Sequence, residues 1–279
     1  MNVGIIPPDD IVAAEFATSV TVEVAKWRDG QCEFLRDVVA EEVPIALEYN
    51  GISHAVMMAT PADLEDFALG FSLTEGILAD ISEFYACDIV RGTEGIQVQM
   101  QVASARFVAL KEKRRNLTGR TGCGLCGAET LAQAVRHPAA VSNVALRFSA
   151  QVLHAALEAM QAQQQLQQQT GATHAAAWLA SDGHITLVRE DVGRHNALDK
   201  LIGALAQQQE DFSSGAVIIT SRASYEMVQK AATVGIGFIA AISAPTALAI
   251  RLAQETDVTL VGFVRRQGHV VYAGPQRLA

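Results

Sequence analysis

The feature that most constrains the fold is a regular alternation of short apolar runs and helical segments after residue 172. Strands are predicted at 173–180, 185–188, 216–220, 236–242, 258–264 and 269–273, and helices at 191–205, 224–234 and 244–255. Such alternation predicts a three-layer α/β domain with a largely parallel sheet. Ligands of these sheets bind beyond the carboxyl ends of the strands, where helix N-termini present free N–H groups.

Two predicted strand-to-helix joints carry hydroxyl groups at this edge. The first is Thr220-Ser221-Arg222-Ala223-Ser224, and the second is Ser243-Ala244-Pro245-Thr246. Hydroxyls, free N–H groups and an arginine suit the binding of phosphate groups. For either joint alone, simple capping of the following helix explains the hydroxyls equally well.

A smaller α+β unit is predicted for the first half of the chain. Strand-like alternation occurs at 21–25, 43–49, 52–58 and 96–102, and Asn50-Gly51 predicts a tight hairpin. Thr60 is the predicted N-cap of a helix over 61–75, and Gly76 is its predicted C-cap. The predicted organisation is an α+β domain at 1–118, a cysteine loop and connection at 119–148, and an α/β domain at 149–279.

Two cysteines stand three residues apart in the glycine-rich segment 120–127. Gly122, Gly124 and Gly127 surround Cys123 and Cys126, which predicts a mobile, exposed loop. Basic residues precede the loop at 111–120, and a helix is predicted to begin at 128–132. Nearby cations and a helix N-terminus both favour the thiolate, which is the nucleophilic form of cysteine.

Three interpretations of this cysteine pair remain open on the residues alone. A zinc site needs two further ligands, whereas Cys32 and Cys87 are isolated and His137 is the only histidine nearby. A thioredoxin-like redox pair belongs between a strand and a helix early in a βαβ unit, and this pair lies between two halves of the chain. The third interpretation is a nucleophilic or sulfur-carrying cysteine.

Composition restricts the class of protein further. The 279 residues carry a net charge of −9, which disfavours a general nucleic-acid binder. The basic cluster at 111–120 is a local exception that a solvated helix face also explains. No run of about 18 apolar residues occurs, so no membrane span is expected. Four cysteines and an N-terminus without a cationic signal region predict a cytoplasmic protein.

The predicted order of elements resembles the cytidine-deaminase-like fold. Deaminases hold zinc and a general acid/base through H-x-E and P-C-x-x-C motifs. Here two alanines follow His174, and the stretch from Ser221 to Ser224 contains no cysteine. We therefore expect a cytidine-deaminase-like α/β domain that lacks deaminase chemistry.

Several stretches together resemble one family, the formate dehydrogenase accessory sulfurtransferases known as the FdhD family. They run in order from about residue 40 to the end of the chain. The stretches are 41–44, 68–76, 121–127, 173–177, 190–200, 221–227 and 259–263. Each is ordinary alone, but the ordered set is specific.

The resemblance implies a sulfur carrier. A cysteine desulfurase would load a persulfide onto Cys123, with Cys126 as its neighbour. The protein would then pass the sulfur to the bis-molybdopterin guanine dinucleotide form of the molybdenum cofactor, which goes to apo-formate dehydrogenase. A homodimer is also expected. A non-catalytic chaperone of the cofactor or the apoenzyme is the alternative.

The resemblance also implies a cofactor site in the second half of the chain, for which GDP would be a partial mimic. Its expected residues are Phe263, Val264, Arg265, Arg266, Gln267, Gly268, Ser221, Arg222, His174, Asp191 and His195. Asp191 and His195 are predicted one helical turn apart, where they would recognise a pterin or guanine. A plain i,i+4 pair on that helix explains the spacing equally well.

Overall fold

A computed structural model describes residues 16–115, 136–141 and 146–279. Within these ranges the chain forms twelve strands and seven α-helices. The strands are β1 (Ser19–Arg28), β2 (Gln31–Ala40), β3 (Val43–Tyr49), β4 (Ile52–Ala59), β5 (Phe84–Arg91), β6 (Ile96–Val102), β7 (His174–Leu179), β8 (Ile185–Asp191), β9 (Ala216–Ile219), β10 (Phe238–Ala241), β11 (Thr259–Arg265) and β12 (Gly268–Ala273). The helices are α1 (Leu64–Thr74), α2 (Ser104–Arg115), α3 (Ala150–Gln163), α4 (Gln165–Thr170), α5 (Arg194–Gln207), α6 (Tyr225–Thr233) and α7 (Ala247–Glu255).

The second half is built on a six-stranded mixed sheet in the order β12-β11-β10-β9-β7-β8. Only β9–β10 and β10–β11 pair in parallel, while β7 runs antiparallel to both β8 and β9, and β12 antiparallel to β11. The prediction of a largely parallel sheet was therefore wrong. Short turns connect β7 to β8 and β11 to β12, and such turns can join only antiparallel neighbours.

Helices cover both faces of this sheet, as the three-layer prediction requires. Side chains of α5, α6 and α7 pack on one face with Trp178, Val217 and Ile239. Side chains of α3 pack on the other face with Ile218 and Phe238. The sheet is therefore the central layer between two apolar clusters, and its strand ends are left to form a site.

The first half contains a four-stranded sheet in the order β4-β3-β6-β5, with α1 packed on its inner face. The Asn50-Gly51 hairpin is confirmed: both residues have positive φ, at 47° and 80°, and Tyr49 pairs with Ile52. These angles match the two-residue turn that joins twisted antiparallel strands. Strands β1 and β2 form a separate two-stranded sheet.

Helices α1 and α5 connect the two halves through a very close crossing. A Cβ on Gly70 would lie 1.7 Å from the carbonyl oxygen of Asp199, and one on Gly203 would lie 1.9 Å from that of Asp66. Only glycine lets two backbones approach so closely. Apolar residues of both halves thereby form one continuous core. The predicted boundary at 118–119 lies outside the described residues, and the domain limits remain a prediction.

Two predicted helix starts differ from the structure. Helix α1 begins at Leu64, and its N-cap is Asp63 in a left-handed conformation with φ 52°, so the prediction of Thr60 as the cap was wrong. Thr60 instead binds the loop after β8, where its hydroxyl oxygen accepts a hydrogen bond from the Val192 N–H at 3.1 Å. Helix α5 was predicted to begin at residue 191, but it begins at Arg194. Gly76 follows the end of α1 with φ 62°, as expected for a terminating glycine.

Candidate functional site

The predicted cofactor residues lie along one edge of the six-stranded sheet. This edge holds the carboxyl ends of β8, β9 and β11, together with the first residue of the antiparallel strand β7. His174 begins β7, Asp191 ends β8, and His195 lies in the first turn of α5. Ser221 and Arg222 follow β9, and residues 263–268 cover the end of β11, the turn after it and the start of β12. The predicted residues therefore lie along a continuous row of loops and helix N-termini.

Asp191 is fully buried at this edge, and both of its carboxylate oxygens are occupied. Oδ1 accepts hydrogen bonds from the Gly193 N–H at 2.7 Å and the Asn196 amide at 3.0 Å. Oδ2 accepts from the Thr60 N–H at 3.0 Å and lies 2.7 Å from the Lys200 ammonium. Asp191 belongs to β8, so neither the predicted helical spacing to His195 nor an i,i+4 pair is present. The carboxylate holds the turn that leads into α5.

His195 is paired across the edge with the next helix. Its Nε2 lies 2.7 Å from the carboxylate of Glu226 in the first turn of α6, and the hydrogen bond lowers the pKa of Glu226. Burial, together with the positive charges of Arg194 and His195, lowers the pKa of His174. His174 is consequently a neutral imidazole at pH 7, with one hydrogen-bond donor and one acceptor.

The two strand-to-helix joints predicted from hydroxyl groups run side by side. Ala223 forms a parallel bridge with Pro245, and the Thr246 N–H donates to the Ala223 carbonyl at 3.1 Å. The Thr246 hydroxyl caps α7 by accepting from the Ala249 N–H at 3.2 Å, which confirms a capping role for the second joint. Ser224 begins α6 without such a bond.

Besides Nε2 of His195, which lies 2.7 Å from the Glu226 carboxylate, two polar atoms near this edge are buried and have no hydrogen-bond partner among the described residues. They are the Ser224 hydroxyl oxygen, at the N-terminus of α6, and Nε of Arg194, at the N-terminus of α5. Buried polar groups normally find partners, and exceptions concentrate where a ligand completes the set. Arg194 and Glu226 were not among the predicted site residues, although both lie within stretches that carry the family resemblance.

The segment 263–268 interrupts regular pairing between β11 and β12. Phe263 has a φ of 52°, which is rare for a residue with a side chain, and the register shifts between Gly262 and Arg265. This bulge leaves the Phe263 ring 43% exposed, while Val264 beside it is fully buried. Bulges and strained residues of this kind re-aim side chains next to functional sites.

The three predicted arginines at the edge are all exposed, but their surroundings differ. Arg265 donates hydrogen bonds to the carbonyl oxygens of Ile242 and Val264, so it also holds the loop after β10. The Arg266 side chain is 81% exposed and contacts Glu158 at 2.9 Å. Arg222 extends from the loop after β9 as an exposed cation. These three side chains bring positive charge to one side of an acidic protein.

Cys123 and Cys126 lie outside the described residues, as do the predicted loop and the helix predicted at 128–132. The basic cluster is described only in part: Lys111 and Glu112 are exposed residues of α2. Cys32 is exposed, whereas burial raises the pKa of Cys87 to about 12. Across the described parts of the chain, no group of three or more metal-ligating side chains could hold a metal ion.

A cavity of about 1000 Å³ lies at the opposite edge of the sheet. It is lined in part by residues 209–213, which precede β9, and by residues 232–235, which precede β10. None of the predicted site residues lines it. The described helices include none that is both long and apolar enough to cross a membrane.

The fold and the site define a mixed three-layer α/β protein whose loops converge at one sheet edge. A putative formate dehydrogenase accessory protein from Desulfotalea psychrophila has the same fold, with a TM-score of 0.73 and 23% identity over 94% of this chain and all of that one. A family model described as FdhD/NarQ matches residues 40–279, and the chain belongs to this family. The cytidine-deaminase-like description of the second half remains a prediction.

Close relatives support the same assignment along nearly the whole chain. A sulfur carrier protein FdhD from Cupriavidus necator is 62% identical over 265 residues, which cover 95% of this chain and 92% of the relative. Another from Bordetella petrii is 57% identical over 242 residues, covering 87% of each chain. The predicted family resemblance is confirmed.

Proposed function

We propose that this protein is a sulfur carrier in the maturation of formate dehydrogenase. It takes sulfur from a cysteine desulfurase as a persulfide on Cys123 and passes it to the bis-molybdopterin guanine dinucleotide molybdenum cofactor. The observation that carries the proposal is the 62% identity, over nearly full length, to a protein named as a sulfur carrier. The paired thiols at 123 and 126 supply the chemistry, and the cytoplasm is the expected compartment.

Loading requires one sulfur–sulfur bond to break and another to form. The Cys123 thiolate attacks the terminal sulfur of the desulfurase persulfide, and the desulfurase cysteine leaves as a thiolate. For release, the Cys126 thiolate attacks the inner sulfur of the Cys123 persulfide and expels hydrosulfide. This step leaves a disulfide, which a cellular dithiol must reduce before the next cycle.

The cofactor, which is the substrate in this scheme, fits the donors at the sheet edge. The N-termini of α5, α6 and α7 and the exposed Arg222 offer N–H groups and positive charge for its phosphates. The buried Ser224 hydroxyl and Arg194 Nε, unpartnered among the described residues, would gain partners. The exposed Phe263 ring would stack on a guanine or pterin. The neutral His174 imidazole and the His195 ring would then read base edges, and Asp191 would act as a positioning residue.

The two cysteines within the described ranges serve as matched controls. Cys87 remains a thiol at neutral pH because burial raises its pKa to about 12. Cys32 lies on β2, in the two-stranded sheet, and not at the edge that holds the cofactor residues. Replacement of either residue by alanine should therefore leave sulfur transfer unchanged.

Intact-mass analysis after incubation with a cysteine desulfurase and free cysteine tests the proposal. The wild-type protein and the Cys32→Ala and Cys87→Ala variants should gain the mass of one sulfur atom, whereas Cys123→Ala should gain none. Sulfur on Cys123→Ala, released by a reductant, would move the carrier role to Cys126. No sulfur on any variant, including the wild type, would contradict sulfur transfer.

A non-catalytic chaperone is the second candidate, because the sheet-edge site contains no cysteine among its described residues. Such a protein would shield the cofactor or apo-formate dehydrogenase without moving sulfur. A strain that lacks this protein and produces the Cys123→Ala/Cys126→Ala double variant distinguishes the two functions. Restored formate dehydrogenase activity would favour the chaperone, and its loss with normal protein levels favours the sulfur carrier. Stoichiometric zinc in the purified protein would instead indicate a zinc-stabilised loop.

A further inference from the structure

Three helices end at the cavity on the opposite edge of the sheet. Leu73 of α1, Ala206 of α5 and Thr233 of α6 line it, and each lies in the last turn of its helix. A helix C-terminus is equivalent to about half a negative charge. No basic residue lies in the last turn of α1 or α5, and the ammonium of Lys230 in the last turn of α6 is buried between carboxylates. The helix dipoles therefore make the cavity electronegative.

Three acidic side chains in the lining add to this negative charge. Glu210 and Asp211 follow α5, and Asp80 follows α1. Hydroxyl and backbone hydrogen bonds from neighbouring serines lower the pKa of Asp80 and the pKa of Asp211, so both are ionised at neutral pH. Arg106 is the one basic side chain among the described lining residues, and it is paired with Glu83 at 2.8 Å. The described lining therefore supplies no cation that compensates the three carboxylates.

Apolar side chains form another part of the same lining. Leu73, Leu78 and Val141 belong to the core, and Phe212 packs against it. Apolar surface beside negative charge suits lysine and arginine, because their aliphatic stems can be buried while the cationic head stays among polar groups. The volume of about 1000 Å³ has room for several side chains. The cavity therefore fits a basic polypeptide segment better than a single small cation.

The position of the cavity indicates which partner brings this segment. Arg106 lies on α2, the last described helix before the cysteines, and Ala139 and Val141 are among the first described residues after them. A partner seated in the cavity therefore contacts the chain on both sides of the segment that contains Cys123 and Cys126. We propose that the cavity docks a basic segment of the cysteine desulfurase that donates the sulfur. The identity of this partner rests on the proposed function, whereas the charge of its segment follows from the cavity.

Rates of persulfide formation, followed by intact mass, test the proposal with two sulfur donors. A cysteine desulfurase with free cysteine is the donor that must dock. Glutathione persulfide is a small donor, whose terminal sulfur passes to the Cys123 thiolate while glutathione leaves as a thiolate. Glu210→Lys/Asp211→Lys should slow loading from subsaturating desulfurase at least tenfold, because like charges then meet the basic segment. Loading from glutathione persulfide should not change.

Two further variants separate docking from folding and from net charge. Glu210→Gln/Asp211→Asn keeps the hydrogen-bond acceptors of the turn, and it should slow desulfurase loading by a smaller factor. Glu33→Lys/Asp37→Lys is the matched control, since it makes the same charge change at exposed residues of β2, in a different sheet. The control should load like the wild type. Raising sodium chloride from about 50 to about 500 mM should slow desulfurase loading of the wild type more than that of the lysine variant at 210 and 211.

The outcomes distinguish docking from the carrier function. If the wild type and Glu210→Lys/Asp211→Lys load equally fast from the desulfurase, the docking proposal alone is overturned. It is also overturned if the control slows as much, or if the change at 210 and 211 also prevents loading from glutathione persulfide. Weaker binding of apo-formate dehydrogenase with unchanged desulfurase loading would overturn it and assign the cavity to that partner. A wild type that accepts sulfur from neither donor would contradict the sulfur-carrier function itself, and this proposal with it.

Discussion

The ammonium of Lys200 lies 2.7 Å from Oδ2 of Asp191, and neither side chain is exposed to solvent. The same ammonium donates to the Thr60 carbonyl at 2.9 Å, and the Thr60 N–H donates to Asp191. This buried group therefore joins the end of β4 to the turn between β8 and α5. Because that turn begins the proposed cofactor edge, the first half of the chain holds part of the site in place.

Replacing Asp191 by asparagine should destabilise the protein strongly. Lys200 would keep its buried charge without a carboxylate to neutralise it, which costs about 3 to 5 kcal/mol of unfolding free energy. Adding Lys200→Met should recover part of this loss, because the double variant buries no unpaired charge. Urea unfolding of both variants and the wild type measures the effect.

Glu158→Gln is the matched control for this experiment. This change breaks the ion pair between Glu158 and Arg266, whose side chains are 52% and 81% exposed, respectively. Because the pair is exposed, its loss should cost less than about 1 kcal/mol of unfolding free energy. A cost for Asp191→Asn as small as that of the control would contradict a structural role for the buried pair.

Local sequence signals predicted most strands and turns correctly, but they did not predict the contacts between the first and second halves of the chain. The Asn50-Gly51 turn follows from positive-φ preferences, and the strands of the second half follow from apolar runs. Thr60 was misassigned because its capping pattern is the same whether its hydroxyl binds its own helix or a distant loop. Likewise, Asp191 sits beside a predicted helix start, and only its tertiary partners extend β8 to include it.

The candidate site shows the same division. The hydroxyl-bearing joints and the 263–268 segment could be recognised in the sequence because their residue types suit phosphate and nucleotide binding. Their gathering at one edge depends on β7 and β8 being antiparallel neighbours, which apolar periodicity does not encode. The pairing of His195 with Glu226 links residues 31 positions apart and follows only from helix placement.

Alanine at Gly70 or Gly203 should destabilise the protein, although glycine to alanine in a helix ordinarily stabilises it by about 0.5 to 1 kcal/mol. Each new methyl group would collide with the backbone of the facing helix, and α1 and α5 would have to separate. We expect a cost of about 3 kcal/mol or more in thermal or urea unfolding.

The control for the glycine variants is Gln151→Ala, an exposed position on α3. It should change stability by no more than about 0.5 kcal/mol. If both glycine variants behave like this control, the close crossing of α1 and α5 is wrong.

A second charged cluster links the first half to the segment that follows the cysteine loop. Glu75 accepts hydrogen bonds from Lys230 at 2.9 Å and from Arg136, and Lys230 also binds Asp199 at 2.9 Å. Burial alone would raise the pKa of Glu75, but Lys230 and Arg136 outweigh it and lower the pKa to about 2. Glu75 is therefore ionised at neutral pH.

The shift predicts how stability depends on pH. The folded pKa of Glu75 lies below its ordinary value of 4.5, so its contribution is complete above pH 4.5 and disappears as the pH falls towards 2. Glu75→Gln should cost about 3 kcal/mol at pH 7 and much less at pH 2.5. Glu94→Gln, at an exposed position, should leave stability unchanged at both values. A pH-independent difference between Glu75→Gln and the wild type would contradict the ionic role of Glu75.

The sheet edge should bind guanine nucleotides without help from the cysteines. GDP represents half of the proposed cofactor, so its dissociation constant should lie between about 1 µM and 1 mM. The phosphates would meet helix N-termini and the arginines, and the base edges would meet donors and acceptors that adenine does not match. Calorimetry with GDP and ADP on the wild type should therefore show a clear preference for GDP.

The arginine variants locate this binding. Replacing Arg265 and Arg266 together by alanine should weaken GDP binding tenfold or more, about 1.4 kcal/mol. Arg265 also binds the carbonyl oxygens of Ile242 and Val264, so its loss could disturb the loop structure. The single variant Arg266→Ala therefore tests the loss of positive charge without the loss of these two hydrogen bonds. Cys123→Ala and the exposed control Arg147→Ala should bind GDP like the wild type. Equal affinity for ADP, or indifference to the double arginine change, would place the nucleotide site elsewhere on the protein.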